Sequence, residues 1–316
     1  MSPRIVFMGT PDFAVASLDA IVAAGYEVAA VVTTPDRPAG RGQKLSSSAV
    51  KRYADSHALP LLQPEKLRDP DFLARLDSLH ADLFVVVAFR MLPRCVWAMP
   101  PLGTFNLHAS LLPRYRGAAP INWAIINGER ESGVTTFLLN EHIDEGAILL
   151  QESTPILPDD NAGSLHDRLA EIGQRLVVRT IEGLSNHTLT PHPQSADSAA
   201  VTAAPKLFKA DCRIDWRQSG MQIHNQVRGL SPYPAAVLEL TDAKGALQPI
   251  KLFETRFEPA SDSGCQKLHT DGKKSLKVSV RDGYIHILSL QMSGKQRVSV
   301  EEFLRGHDVS NWKLAD

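Results

Sequence analysis

The run FNLHASLLPRYRGAAP at residues 105–120 sets Asn106 and His108 two positions apart and follows them with Pro113, Gly117 and Pro120. Side chains alternate between the faces of a strand, so an amide and an imidazole at this spacing share one face. An amide can donate a hydrogen bond to an oxyanion as it forms, and a histidine can orient that group or carry a proton near neutral pH. A carboxylate would complete the set. EHIDEGAI at 141–148 offers Glu141, Asp144 and Glu145, and Asp144 lies between the apolar Ile143 and a turn that Gly146 permits. Each residue also has a plain structural use, Asn106 and His108 as a satisfied polar pair near a sheet end and Asp144 as a turn residue bonded to its own backbone. Their combination is what points to chemistry.

Motifs for other chemistries are missing. There is no G-x-S-x-G, no H-E-x-x-H and no G-x-x-x-x-G-K-[ST], and GTPDFA is not G-x-G-x-x-G. Nucleotide-dependent and zinc enzymes are therefore disfavoured. His142 beside Asp144 leaves one metal site formally open, but no metal is expected.

The elements that must position these residues follow from periodicity. RIVFMG (4–9) and EVAAVVTT (27–34) read as strands, and ADLFVVVAF (81–89) reads as a strand buried on both faces. Helices are expected over 11–24, with Thr10 as N-cap and Pro11 in the first turn, and over 48–58, 69–80, 119–129 and 161–184. GVTTFLLN and AILLQESTPI add two strands. Alternation of this kind predicts an α/β fold, an open, mostly parallel, Rossmann-like sheet with helices on both faces, whose ligands bind at the carboxyl ends of the strands. Residues 191–206, PHPQSADSAAVTAAPK, are poor in large apolar side chains and read as a linker. Beyond them short alternating strands separated by DAKG, DGKK and RDG fit a small antiparallel, OB-like β-barrel. The expected division is a catalytic domain over 1–190, a linker over 191–206 and a C-terminal barrel over 207–316.

Composition bounds the setting. The 316 residues, 43% of them apolar, can build a sizeable core. MSPRIVFMGTPDF lacks a signal-peptide core, and no stretch approaches the ~20 apolar residues of a membrane span. A soluble protein of the cytoplasm, with no membrane partner, is expected. Cys95, Cys212 and Cys265 are far apart with no C-x-x-C pair, which gives neither a disulfide framework nor a zinc ribbon. The net charge of −1 hides a basic lean in 207–316, where 16 Lys and Arg face 13 Asp and Glu. In residues 35–52, Arg37, Arg41, Lys44, Lys51 and Arg52 face the single acid Asp36, a pattern that suits either a solvated face or contact with a polyanion.

NLHASLLPRYRGAAPIN with IDEG downstream resembles the formyltransferases that use 10-formyltetrahydrofolate. GTPDFA, TPDRPAGRGQKL, RIDW and RGLSPYP narrow the resemblance to the branch whose acceptor is methionyl-initiator tRNA, and the motifs stand in order from Gly9 to Pro234. The resemblance implies that Asn106, His108 and Asp144 are catalytic and that Ser110, Leu111, Leu112 and Pro113 hold the folate. It implies that the α-amine of the charged tRNA attacks the formyl carbon on N10 of the folate. Asn106, helped by His108, would meet the oxyanion, and Asp144 would balance the histidine and move the proton through a water. The implied partners are the folate and the initiator tRNA, with no obligate protein partner and with the barrel adding tRNA affinity. Arg37, Arg41 and Lys44 of the basic run are the candidate tRNA contacts. The sequence departs from the family pattern at AFRMLP, one residue shorter than expected, with Arg90 where a glycine usually stands. Rival readings keep the formyl donor and change the acceptor, either to glycinamide ribonucleotide, against which the added C-terminal region tells, or to a UDP-amino sugar or water, against which the basic run and the length tell. A non-enzymatic RNA-binding protein would require the catalytic trio to be broken, and it is intact.

Overall fold

The computed structural model describes residues 2–39, 44–195, 201–261 and 266–315. Its contacts divide into two compact units, one of Met1–Gly117, Glu131–Thr154 and His166–Ala204, the other of Ala118–Arg130, Pro155–Leu165 and Pro205–Asp316. In chain order the elements begin with β1 (Arg4–Gly9), α1 (Asp12–Ala23), β2 (Glu27–Val32), β3 (Arg37–Ala39), β4 (Lys44–Ser46), α2 (Ala49–Ser56) and β5 (Leu61–Leu62). They continue with α3 (Pro70–Asp77), β6 (Leu83–Val87), α4 (Arg94–Trp97), β7 (Thr104–His108), β8 (Arg116–Gly117), α5 (Pro120–Ile126), β9 (Glu131–Leu138), β10 (Ile148–Pro155), α6 (Ala162–Ser185) and β11 (Ala203–Ala204).

The first unit is built on a seven-stranded sheet of order β10-β9-β7-β6-β1-β2-β5. Its β5, β2, β1, β6 and β7 are parallel, and β9 runs antiparallel to β7. The unbroken apolar run of β6 is buried at every position, as a strand covered on both faces must be. One face packs Val6, Met8, Val32, Phe84 and Val86 against Phe72 and Leu76 of α3 and Val96 of α4. On the other, α6 lies against Leu107 of β7, and Thr136 of β9 meets Thr180 of α6 at 2.8 Å between hydroxyls. Helix α1 begins one residue later than expected. Pro11 is extended (φ −82°, ψ 176°) in the N-cap place, with no side-chain cap.

In the second unit, strands β12 (Ala236–Thr241), β13 (Leu247–Pro259), β14 (Leu268–Thr270), β15 (Leu276–Val280), β16 (Gly283–Met292), β17 (Val298–Ser299) and β18 (Lys313–Leu314) pair antiparallel in a nearly closed, barrel-like sheet. The strict inside-outside alternation along β12 is that of a strand with one dry face. Helices α7 (Gly220–Leu230) and α8 (Val300–Gly306) cover its core through Val227, Leu230, Phe303 and Leu304, and each starts with a capping box. No helix among the described residues is long and apolar enough to cross a membrane.

Candidate active site

The alternation of β7 sends Phe105 and Leu107 into the core beside α6 and leaves Asn106 and His108 on the opposite face, at the carboxyl end of the strand. Asn106 is registered between Val86 of β6 and Phe137 of β9, and its Oδ1 is shielded from solvent with no hydrogen-bond partner. A shielded amide oxygen without a donor is costly, on the order of 1–3 kcal/mol, and the cost is recovered when a ligand brings a hydrogen-bond donor to it. Because an amide carries both a donor and an acceptor end, this side chain can present either to a ligand.

His108 is 6% exposed. Its Nε2 lies 2.8 Å from the Tyr115 carbonyl oxygen, which only accepts, so Nε2 carries the proton. That leaves Nδ1 facing the Asp144 Oδ2 at 3.8 Å, an ion-pair separation longer than a hydrogen bond. A second proton on this ring therefore arrives beside a carboxylate.

Asp144 reaches this position through an unusual backbone. Its φ is +55°, the left-handed region that a non-glycine residue enters at a cost and that aspartate tolerates better than most. Its Oδ2 accepts a hydrogen bond from the Gly117 N–H at 2.9 Å. Two residues on, Gly146 has no substitute, because a Cβ there would stand 1.6 Å from the Leu138 carbonyl oxygen.

The turn of Ser110, Leu111, Leu112 and Pro113 is held from within. Ser110 is buried and donates from Oγ to the Arg114 carbonyl at 2.6 Å. Thr135 of β9 donates to the Ser110 carbonyl and accepts from the Leu112 N–H, and Gln151 of β10 donates to both Thr135 Oγ1 and the Leu112 carbonyl. The Leu112 side chain is buried, while Leu111 and Pro113 are half-exposed.

The basic run is less uniform than its composition suggests. Arg37 in β3 pairs with Ser46 in β4, and Lys44 opens β4 opposite Ala39. Arg41 lies outside the described residues. Lys51 Nζ sits 2.5 Å from Asp36 Oδ2, and Gln63 donates to Asp36 Oδ1 and to the Thr34 carbonyl, so this pair braces the foot of the hairpin. The Lys51 hydrogen bond holds the Asp36 carboxyl below its ordinary value. Arg52 donates to the Ser47 carbonyl at 2.8 Å. Arg90 spends its guanidinium on the carbonyls of Pro64 and Glu65, tying the short loop after β6 to the turn after β5. No group of three His, Cys, Asp or Glu among the described residues is placed to hold a metal ion.

Composition missed the part played by 191–206. Gln194 donates from Nε2 to the carbonyls of Asp144 (2.8 Å) and Gly146 (2.9 Å) and accepts at Oε1 from Arg116. His192 bridges Ile148 through its backbone, and β11 pairs with β8, the Ala204 backbone lying so close to Gly117 that a Cβ there would be 2.5 Å from the Ala204 carbonyl oxygen. The signal was one long polar side chain in a run of small ones.

Residues 3–181 match the family model described as formyl transferase, and residues 206–308 match the one described as formyl transferase, C-terminal domain. The chain belongs to the formyl transferase family. Among its relatives in that family is the methionyl-tRNA formyltransferase of Bacteroides fragilis, 51% identical over 310 residues and covering 97% of this chain and 96% of the relative. That of Flavobacterium johnsoniae is 52% identical over 309 residues, with 98% and 97% covered. Solved structures share the fold. An N-formyltransferase from Helicobacter canadensis, in complex with folinic acid and dTDP-3-aminofucose, superposes with a TM-score of 0.64 at 21% identity, covering 94% of this chain and 100% of that one. HypX from Aquifex aeolicus with tetrahydrofolic acid gives 0.63 at 18%, covering 100% of this chain and 51% of that one.

Proposed function

We propose that this formyl transferase moves a formyl group from 10-formyltetrahydrofolate to the α-amine of methionyl-initiator tRNA, with Asn106, His108 and Asp144 as its catalytic groups. The observation that carries the reading is the shielded, unpartnered Oδ1 of Asn106 beside the His108–Asp144 pair, in a chain about half identical to methionyl-tRNA formyltransferases over nearly its whole length. The formyl donor and an amine acceptor suit this site, because the formyl oxygen can accept from the Asn106 Nδ2 and the amine N–H is the kind of donor that Oδ1 lacks.

When bound, 10-formyltetrahydrofolate supplies an electrophilic carbon and a leaving nitrogen. Asn106 donates from its amide to the formyl oxygen as negative charge builds there, and His108, once protonated on Nδ1, adds positive charge to the same region. Asp144 takes the proton that the attacking amine loses and, through water, returns it to the departing N10 as the new C–N bond replaces the old one. The turn Ser110–Pro113 forms the folate wall. Ser110 and Leu112 act there by fixing its shape, and Leu111 and Pro113 by contact. Arg37, Arg41 and Lys44 meet the phosphates and base edges of the acceptor stem, and residues 207–316, with net charge +3, add tRNA affinity as a C-terminal tRNA-binding barrel. A site of action in the cytoplasm follows from this acceptor.

The test is a formyl-transfer assay with purified protein and 10-formyltetrahydrofolate, offering charged initiator tRNA, glycinamide ribonucleotide, an amino-sugar nucleotide and water in parallel. Transfer to the tRNA alone is expected. Transfer to another acceptor, with the tRNA left unformylated, overturns the assignment.

A further inference from the structure

Gln194 spends the donor end of its amide on the backbone that carries Asp144. Its two Nε2 protons go to the carbonyls of Asp144 and Gly146, on either side of Glu145, at 2.8 and 2.9 Å. Its Oε1 accepts from Nε and Nη2 of Arg116 at 3.1 and 2.6 Å, which sets the amide the right way round and leaves Arg116 Nη1 to reach Glu145 Oε1 at 3.0 Å. A backbone bridge between His192 and Ile148 anchors the strand end next to it, at 2.7 and 2.8 Å. Asp144 stands at a φ of +55°, and a non-glycine residue stays in that region when its surroundings over-determine it. The hydrogen bonds that do so here come from the far side of the sequence, through one side chain.

We propose that Gln194, oriented by Arg116, is a positioning residue of this enzyme. It holds the Asp144 peptide in its left-handed conformation and so delivers the carboxylate to His108 and to the Gly117 N–H. Arg116 thus serves the reaction through its bonds to Glu145 and Gln194. The inference rests on the reading of Asp144 as the group that handles the proton.

The experiment is a double-mutant cycle on the full chain, Gln194→Ala and Gln194→Glu each made alone and with Asp144→Asn. Steady-state formyl transfer and amide hydrogen exchange at Gly117 are measured on every variant. Gln194→Ala is expected to lower kcat on the order of 10²-fold with both KM values within about twofold, the signature of a misplaced catalytic group rather than lost binding. Gln194→Glu keeps the length and the acceptor for Arg116 but lacks the donors, and an equal loss is expected from it. In the Asp144→Asn background neither change is expected to cost more than about twofold, since the group being positioned is gone. The same factor in both backgrounds, or wild-type turnover in Gln194→Glu, overturns the proposal. A wild-type chain that formylates nothing overturns the functional reading instead. The positioning claim is then decided by the Gly117 amide, for which faster exchange in Gln194→Ala is expected and unchanged exchange refutes it.

Discussion

The Asp144 carboxylate does two things that a neutral isostere separates. It accepts the Gly117 N–H, which shapes the turn, and it faces His108 Nδ1 at 3.8 Å, which needs a negative charge. Asparagine can still accept that N–H and tolerates the left-handed backbone, so Asp144→Asn keeps the shape and removes the charge. Turnover is expected to fall about 10²-fold or more with folate binding unchanged, as measured by single-turnover kinetics and a direct folate titration. Wild-type turnover in this variant would remove Asp144 from the mechanism. At this scale the candidate site is legible in the sequence. The spacing of Asn106 and His108 in a strand, and a carboxylate beside a glycine turn, need no knowledge of the fold. What spacing leaves open is which acid of Glu141, Asp144 and Glu145 turns inward, since that depends on partners remote in sequence. Glu141 pairs with Arg94 and Glu145 with Arg116, which leaves Asp144 for the histidine.

Strands and helices with strong periodicity stood where the pattern placed them, because burial on one or both faces is written into a short window of residues. The two-stranded β8–β11 ladder was invisible for the opposite reason. Its strands are two residues each and lie far apart in the chain, and the pairing depends on Gly117 having no side chain. Gly117 has φ +128°, and a Cβ there would sit 2.5 Å from the Ala204 carbonyl oxygen. Gly117→Ala is therefore expected to part the ladder and shift the N–H that Asp144 uses, lowering both melting temperature and turnover. Gly25→Ala makes the control, since Gly25 also has positive φ (+78°) but nothing within 4 Å of a new Cβ, so it is expected to lower stability while leaving turnover intact. Equal turnover losses from the two would refute the close-approach argument. The bracing of the basic hairpin is not visible in its own composition, because the Gln63 that joins Lys51 on Asp36 comes from beyond α2. Lys51 and Arg52 thus have partners within the protein. Arg41→Ala with Lys44→Ala is expected to weaken tRNA binding and reduce its salt slope by about two phosphate contacts, with folate binding unchanged. An unchanged slope with normal tRNA kinetics would return the hairpin to a solvated face.

At the scale of the whole chain, composition divides the protein once, near residue 200, whereas the contacts weave Ala118–Arg130 and Pro155–Leu165 into the unit that holds the barrel. The reason is a handful of directed polar contacts that no periodicity announces. Asn122 donates to the Gly229 carbonyl, Trp123 Nε1 to the Pro205 carbonyl, and the Arg228 guanidinium to the carbonyls of Leu157, Pro158 and Asp160. Helix α7 carries two of these partners, Arg228 and Gly229, and one turn before Arg228 lies His224. Burial, with Arg228 adding its own charge, pushes the His224 pKa down from 6.5 to about 4, and its Nδ1 lies 3.0 Å from Thr255 Oγ1 of β13. Above pH 6.5 the ring is neutral in both the folded and the unfolded chain and exerts no pull on the equilibrium. Between pH 6.5 and 4 the unfolded chain takes up a proton that the folded one refuses, so stability falls as pH falls across that window and levels off below it. Carboxylates such as Asp271, whose backbone hydrogen bonds lower it from 3.8 to about 2, withdraw their stabilisation only at more acid pH, below their unfolded value. Gln cannot titrate but can still bond Thr255. His224→Gln is therefore expected to flatten the pH dependence of the barrel unit between 6.5 and 4 and to leave the steeper loss below pH 4 in place, as read by urea unfolding followed at several pH values. A wild-type slope in the variant would mean that some other group governs the window.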